Sequence, residues 1–402
     1  DSETEFYAKR YIRVIDNFES TFGKKESIAL FSAPGRTEIG GNHTDHQHGC
    51  VIAGSVNLDV IAAAAPNGTN VVRIKSEGYP MDIIKLDELE IKEDEFEMAA
   101  ALIRGIIKKF VDLGYSVGGF DAYTVSNVLK GSGLSSSAAF EVLVGTVING
   151  LFANGEVDAT EIAKFGKFAE NIYYNKPSGL MDQMASSVGS MVFIDFKSTE
   201  KPVVEKLEFD LKKHGHALCI IDSGADHADL TDEYASIPAE MKEIASYFGK
   251  KYLREIDRNE FYDNIHNIRL KINNDRAILR AIHFFDENDR AISEMQAIKN
   301  DDFEEFKRLV RESGYSSYMY LQNIFSNNMP KKQAVSLVLA LCSEILGDRG
   351  AYRVHGGGFA GTVQAFVPFD MLDDFKRRIE DVVGKDSCHI LSIRPVGGCE
   401  LK

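Results

Sequence analysis

A chain of 402 residues with 46 Lys and Arg against 61 Asp and Glu carries a formal net charge of −15 at neutral pH. Hydrophobic residues make up 44% of it and charged residues 27%, which excludes a disordered chain, since such a chain lacks the apolar surface to offset its ordering entropy. The acidic balance argues against nucleic acid as a partner, and no apolar run approaches the about 20 residues of a membrane-spanning helix.

The length suggests two domains with a small polar ligand in the cleft between them. Cys50, Cys219, Cys342, Cys388 and Cys399 form an odd set without Cys-x-x-Cys spacing, and Asp1-Ser2-Glu3 begins no basic-then-apolar leader. Reduced thiols in a cytoplasmic globular protein are therefore expected.

In chain order, residues 27–32, 54–65 and 71–76 are β-branched or small-apolar runs, punctuated by Pro34, by Pro66-Asn67-Gly68 and by Gly78, and are predicted strands. Between the first two runs lies Pro34-Gly35-Arg36-Thr37-Glu38-Ile39-Gly40-Gly41-Asn42-His43-Thr44-Asp45-His46-Gln47-His48-Gly49, read as an irregular stretch. So many polar and ionisable side chains are costly in a core and natural in a pocket. Asn, His and Asp together can saturate the hydroxyls of a sugar-like ligand, and Arg36 suits a phosphoryl group. Two other readings fit the same residues. One is a transition-metal cluster of His43, His46, His48 and Asp45, which no strand or helix period brings to one point; the other is a plain surface loop.

Residues 98–113 have helical periodicity, with Leu102, Ile106 and Phe110 on one stripe, and 119–125 read as a strand. Then comes Gly131-Ser132-Gly133-Leu134-Ser135-Ser136-Ser137-Ala138-Ala139, at the start of a helix expected over about 135–152. A small-residue turn there lets backbone N–H groups approach an anion, and the helix adds the positive end of its dipole. The serines offer hydroxyls to phosphate or magnesium. The segment lacks the Gly-Lys-Ser/Thr of a Walker A loop, and Ser136 stands where G-x-G-x-x-G needs its third glycine. A serine-capped helix after a glycine turn fits the same residues.

An amphipathic helix over 159–173 carries Glu170, and twelve residues beyond that glutamate is Asp182, within Ser178-Gly179-Leu180-Met181-Asp182-Gln183-Met184. An Asp in this setting is either a helix cap or a functional carboxylate. A strand follows over 190–196, and the polar, proline-bearing Lys197-Ser198-Thr199-Glu200-Lys201-Pro202 predicts a boundary between domains of 1–200 and 201–402. Beyond it, 216–222 reads as a buried strand, and charged helical patterns then run to about Leu346. Breaks fall at 224–229 and at Gly347-Asp348-Arg349-Gly350. Strands over 351–354, 362–367 and 389–393 close the chain around a helix at 370–383. His355-Gly356-Gly357-Gly358-Phe359-Ala360-Gly361 joins two of these strands, and its glycines permit positive φ or a close backbone approach to a ligand.

In this order the segments resemble those of the GHMP kinase superfamily and, within it, the galactokinases. Residues 35–45 are similar to the galactokinase signature, the serine-rich turn to the superfamily's phosphate loop, and 356–361 to its third motif. Residues 178–183 resemble the family's Cys-Gly-Ile-Met-Asp-Gln segment with Ser178 in place of the cysteine. Asp226-His227 followed by Asp232-Glu233-Tyr234 resembles a further sugar-side segment. The resemblance implies an α+β fold of two parts, an N-terminal domain like ribosomal protein S5 domain 2 and a ferredoxin-like C-terminal domain, with the active site between them.

The same resemblance implies transfer of the γ-phosphoryl group of MgATP to the anomeric hydroxyl of galactose, with a monomer sufficient for the task. By position, Gly131, Ser132, Gly133, Leu134, Ser135, Ser136 and Ser137 would cradle the ATP phosphates, and Ser137 with Glu170 would hold Mg²⁺. Asn42, His43, Thr44, Asp45, Gly179 and Tyr234 would face the sugar, Asp182 would be the catalytic carboxylate, and Arg36 would stabilise the transferring group.

Galactokinases usually carry a glutamate where this chain has Asn42, a tyrosine where it has His46, and a glycine where it has Ala360. An amide does not repel a carboxylate, which makes galacturonate a second candidate substrate. A sugar-sensing regulator without turnover is a reading of another class, opposed by the intact Ser137-Ala138 and Asp182.

Overall fold

The computed structural model describes residues 2–176, 178–225 and 230–401. Its first half runs α1 (Ser2–Phe22), β1 (Ala29–Gly40), β2 (Cys50–Pro66), β3 (Val71–Ser76), β4 (Met81–Lys85), α2 (Ala99–Asp112), β5 (Phe120–Ser126), α3 (Ser136–Phe152), α4 (Ala159–Phe168), α5 (Met181–Val188), β6 (Met191–Asp195) and β7 (Val203–Leu207). These strands, with one from the far end of the chain, make an eight-stranded sheet around β2. The 17 residues of β2 are long enough to pair with β6 over their first part and with β5 over their last.

Alternation along β2 decides what covers the sheet. Val60, Ala62 and Ala64 belong to the main core beneath α2 and α3, whereas Ile61, Ala63 and Ala65 pack with Val14 and Phe18 of α1. Helix α1 precedes the first element expected from the sequence, although Tyr11, Val14, Phe18 and Phe22 recur along it at helical spacing and pack together.

The second half runs β8 (His216–Asp222), α6 (Thr231–Tyr247), α7 (Arg258–Asp263), α8 (Ile265–Ile272), α9 (Asp275–Lys299), α10 (Phe303–Ser316), α11 (Ala334–Leu346), β9 (Ala351–His355), β10 (Thr362–Pro368), α12 (Leu372–Val383), β11 (Cys388–Leu391) and β12 (Cys399–Leu401). A four-stranded antiparallel sheet takes the order β11-β8-β10-β9. Leu218 and Ile220 of β8 join the main core with residues of α9 and α10, while Cys219 and Ile221 face α11 and α12. The α+β class expected from the sequence holds. Among the described residues no helix is long and apolar enough to cross a membrane.

Two expectations change. The break near residue 200 does not separate the sheets: β7 still pairs with β6, and β12 returns to pair with β1. A stretch of only three residues at the end of the chain carries no periodicity from which such pairing could be read. Residues 34–40, read as irregular, form the second half of β1, kept in the sheet by register shifts between Pro34 and Arg36 and between Glu38 and Gly40. Such bulges re-aim side chains while the ladder continues, which is how a polar run ends up inside a strand.

Candidate active site

Arg36 lies just past the first bulge of β1 and is buried. Its backbone N–H donates to the carbonyl of Leu134 at 2.9 Å, tying the strand to the serine-rich turn. A Cβ on the neighbouring Gly35 would meet that carbonyl oxygen at 2.8 Å, so the close approach depends on a glycine there. The guanidinium forks onto Asp182, Nε to Oδ1 at 2.7 Å and Nη2 to Oδ2 at 2.9 Å, while Nη1 donates to the Gly133 carbonyl.

Asp182 stands in the first turn of α5, where the positive end of a helix favours a carboxylate. The Ser135 hydroxyl also donates to its Oδ2. Burial pushes the Asp182 pKa up, but the Arg36 fork and Ser135 outweigh it and hold the group below its ordinary value. Both members of the pair are therefore charged at neutral pH.

A cavity of about 230 Å³ opens beside this pair, and Asp45, Ser135, Ser137, Glu170, Lys176, Gly179, Asp182 and Gln183 are in its wall. Glu170 reaches it from a π-helical turn, Ala169–Tyr173, that widens the end of α4. Its Oε1 accepts from Lys176 Nζ at 3.0 Å, and its Oε2 from Ser178 Oγ at 2.6 Å and Gln183 Nε2 at 2.8 Å. Asp45 lies across from Gly179, whose Cβ would come within 3.1 Å of its Oδ2. Burial, partly opposed by His43 and reinforced by Asp182, raises the Asp45 pKa.

The serine-rich turn is a left-handed corner, with Gly131 at φ 72°, Gly133 at φ 72° and Ser135 at φ 53°. Ser137 is exposed in the first turn of α3, next to Ser136. Ser132 Oγ bonds back to the Leu129 carbonyl at 2.7 Å and Leu134 is core, so these two side chains shape the turn and leave only backbone to a ligand.

The expected sugar-side residues divide. Asp45 and Gly179 line the cavity; Asn42, His43, Thr44 and Tyr234 do not. Asn42 is fully buried, and its Nδ2 donates to Glu38 Oε1 and to the Gly356 carbonyl, each at 2.8 Å. Its Oδ1 accepts from Ser317 Oγ at 3.2 Å and Asn323 Nδ2 at 3.0 Å. With every polar atom of the amide already bonded to protein, the side chain is turned away from the cavity. Thr44 Oγ1 lies within 2.9 Å of the Gly41 carbonyl and 2.7 Å of the Cys50 carbonyl, His43 Nε2 lies 3.0 Å from the Gly357 carbonyl, and Tyr234 Oη donates to the Gly358 carbonyl at 2.9 Å.

His48 stacks on Tyr252 with centroids 3.6 Å apart, and among the described residues no group of three or more His, Cys, Asp or Glu side chains is placed to hold a metal. The histidine-cluster alternative is therefore set aside. The Asp226-His227 segment lies outside the described residues.

Other buried groups hold the site and carry no local sequence signal. From α9, Glu287 Oε1 accepts from the backbone N–H groups of Gly41 and Asn42 at 3.2 and 3.3 Å, and His283 Nε2 lies 2.9 Å from the Asn42 carbonyl. Burial acts against the charge of Glu287, yet Arg290 and other cationic neighbours bring its pKa down to about 2. His355 bridges the halves: Nδ1 is 2.8 Å from Thr362 Oγ1, which donates to the Ser132 carbonyl at 3.0 Å, and Nε2 is 3.0 Å from Thr37 Oγ1. These partners sit between 230 and 318 residues from what they hold, so only the fold reveals them. A larger cavity, about 890 Å³, lies elsewhere against α1, Phe303 and Arg394 and contains none of the motif residues.

Comparison with known proteins agrees with this geometry. Residues 16–66 match a family model described as the galactokinase galactose-binding signature, and residues 101–190 match the GHMP kinases N-terminal domain. The chain is 30% identical over 377 residues to a galactokinase of Glaesserella parasuis serovar 5, covering 90% of this chain and 91% of that one. It is 30% identical over 359 residues to a galactokinase of Actinobacillus pleuropneumoniae, covering 87% and 88%. Among solved structures, Lactococcus lactis galactokinase complexed with galactose superposes with a TM-score of 0.79 at 25% identity, covering 96% of this chain and 98% of that chain. A mevalonate kinase shares the fold with a TM-score of 0.64 at 14% identity, covering 91% and 99%.

Proposed function

The chain belongs to the galactokinase family of the GHMP kinases and is a sugar kinase, and we propose that it phosphorylates the anomeric hydroxyl of galactose from ATP. The observation that carries the reading is the Arg36–Asp182 fork, charged on both sides and open to a small polar cavity between the serine-rich turn and the signature residues.

Phosphoryl transfer through a loose transition state needs positioning and charge neutralisation more than covalent help. Asp182, ionised by Arg36 and Ser135, accepts a hydrogen bond from the sugar hydroxyl and aims its oxygen along the line of attack. A carboxylate of lowered pKa is a weak base. It takes the proton only as the new O–P bond makes that hydroxyl acidic, which places proton transfer late. Arg36 has its charge within reach of both Asp182 and the turn that would hold the phosphates, so it screens the negative charge moving between them.

Ser137 and Glu170 face one cavity with hard oxygen donors, a hydroxyl and a carboxylate, which suits Mg²⁺ carried in on phosphates. When bound, the ion would supply positive charge to the phosphate groups. Asp45 and Gly179 are the proposed sugar contacts at the cavity wall, whose described lining residues all belong to the first half of the chain. The inward bonding of Asn42 removes the motive for a galacturonate preference, which required its amide to meet the sugar.

The test is Asp182→Asn, assayed by coupled ATP consumption against galactose, galacturonate, arabinose and glucosamine. Wild type should turn over galactose best, and the variant should lose nearly all turnover while still binding sugar by calorimetry. Near wild-type turnover in the variant would remove Asp182 from the chemistry.

A further inference from the structure

Among the described residues lining the catalytic cavity, Asp45, Glu170 and Asp182 are anionic groups and Lys176 is the one cation. Arg36, the nearest other positive charge, is engaged by Asp182. Incoming ATP therefore meets a wall whose single uncommitted ammonium group is that of Lys176, apart from its bond to Glu170.

The bond to Glu170 is asymmetric in a way that matters. Glu170 Oε2 is held by two neutral donors, Ser178 and Gln183, which stay in place whatever enters the cavity. Among the described residues its Oε1 has Lys176 Nζ alone, at 3.0 Å. The Glu170 side chain is 5% exposed and that of Lys176 57% exposed, so the carboxylate is fixed and the ammonium is free to swing. A buried carboxylate left without a cation is costly, so Lys176 leaves only when another cation takes Oε1.

We propose that Lys176 is a phosphate-binding residue held in reserve: its ammonium neutralises Glu170 Oε1 in the resting enzyme, yields that oxygen to the divalent cation arriving with ATP, and moves onto the phosphates. This rests on the reading of Glu170 as a cation ligand. The exchange conserves charge at Oε1 and adds a donor to the nucleotide, so the site never passes through an unpaired carboxylate.

Two binding measurements on the full chain test the exchange. Lys176→Met should bind Mn²⁺ severalfold more tightly than wild type in the absence of nucleotide, read by electron paramagnetic resonance, because Oε1 no longer has an internal cation. At saturating Mg²⁺ the same variant should bind ATP about tenfold more weakly, read by calorimetry, because one charge-assisted hydrogen bond to phosphate is lost. If either affinity stays within about twofold of wild type, Lys176 is an ordinary surface ion pair and the proposal fails. Failure of the underlying reading looks different: Glu170→Gln would then leave wild-type Mn²⁺ affinity untouched.

Discussion

Asn42→Ala distinguishes a pocket wall from a structural hub. The substitution deletes four hydrogen bonds, one of them to Glu38, the salt-bridge partner of Arg353. Glu38 keeps Arg353, and Asn323 keeps the Gly357 carbonyl at 3.1 Å, but the half-buried Gly356 carbonyl and the fully buried Ser317 hydroxyl lose this partner. A bond to a charged group contributes about 1.5–3 kcal/mol and each neutral one about 1 kcal/mol, so after local re-pairing the expected loss is about 4 kcal/mol. Equilibrium urea unfolding measures it, alongside the KM for galactose in a coupled assay. Because Glu287 and His283 still hold the backbone of the turn, KM should rise less than about tenfold, or 1.4 kcal/mol. A stability loss below about 1 kcal/mol together with a KM raised more than about thirtyfold would refute the hub and put the amide on the sugar.

Two further expectations concern the packing behind the site. His355 is 3% exposed, and burial, with Arg36 and Arg353 beside it, lowers its pKa to about 3. The unfolded chain takes up this proton first, near pH 6.5, so the contribution is full above that value and declines as pH falls towards 3. By pH 5 the loss amounts to about 2 kcal/mol. Glu141 and Glu294, pushed up by burial, act in the opposite direction, so the measure is the difference in urea midpoint between wild type and His355→Asn, followed from pH 7.5 to 5. A pH-independent difference would refute it. Separately, a Cβ on Gly40 would stand 1.8 Å from Oε2 of the fully buried Glu294, so Gly40→Ala should cost about 1–3 kcal/mol. Thermal unfolding of the double variant Gly40→Ala, Glu294→Ala should show part of that cost recovered; strictly additive losses would mean the two residues do not collide.

The parts of the site that were legible in the sequence are those where chemistry and spacing coincide locally. Gly131 to Ser137 announced a turn before a helix, and that turn forms with Gly131, Gly133 and Ser135 in left-handed conformations. Asp182 read equally as a cap or a catalytic group. Its partner Arg36, 146 residues away, is brought to it by the fold alone. Residues 34–40 misled because polar composition was taken for irregular backbone, whereas two register shifts keep them in β1. Asn42 misled for the opposite reason. Of its near neighbours in sequence Asp45 lines the cavity, while its own partners beyond Glu38 come from Gly356, Ser317 and Asn323, which nothing near residue 42 could predict. Period and composition report on an element's own faces; a buried polar residue is explained by what the fold brings to it.

The net charge of −15 returns here as a physical constraint. Its field opposes any polyanion, so a nucleotide site on this chain has to work at short range. The structure meets that demand by neutralising carboxylates in pairs, Arg36 on Asp182 and Lys176 on Glu170, instead of displaying free cations. A free lysine would attract phosphate earlier but would leave Glu170 buried and unpaired, at a cost of several kcal/mol. Paired charges keep the resting cavity stable, and they commit positive charge to phosphate only when the ligand brings its own cation in exchange. The two pairs also differ in what they allow. Arg36 holds Asp182 through a bidentate fork and keeps it when a ligand enters, whereas Lys176 holds Glu170 by one bond to one oxygen and is the member built to let go.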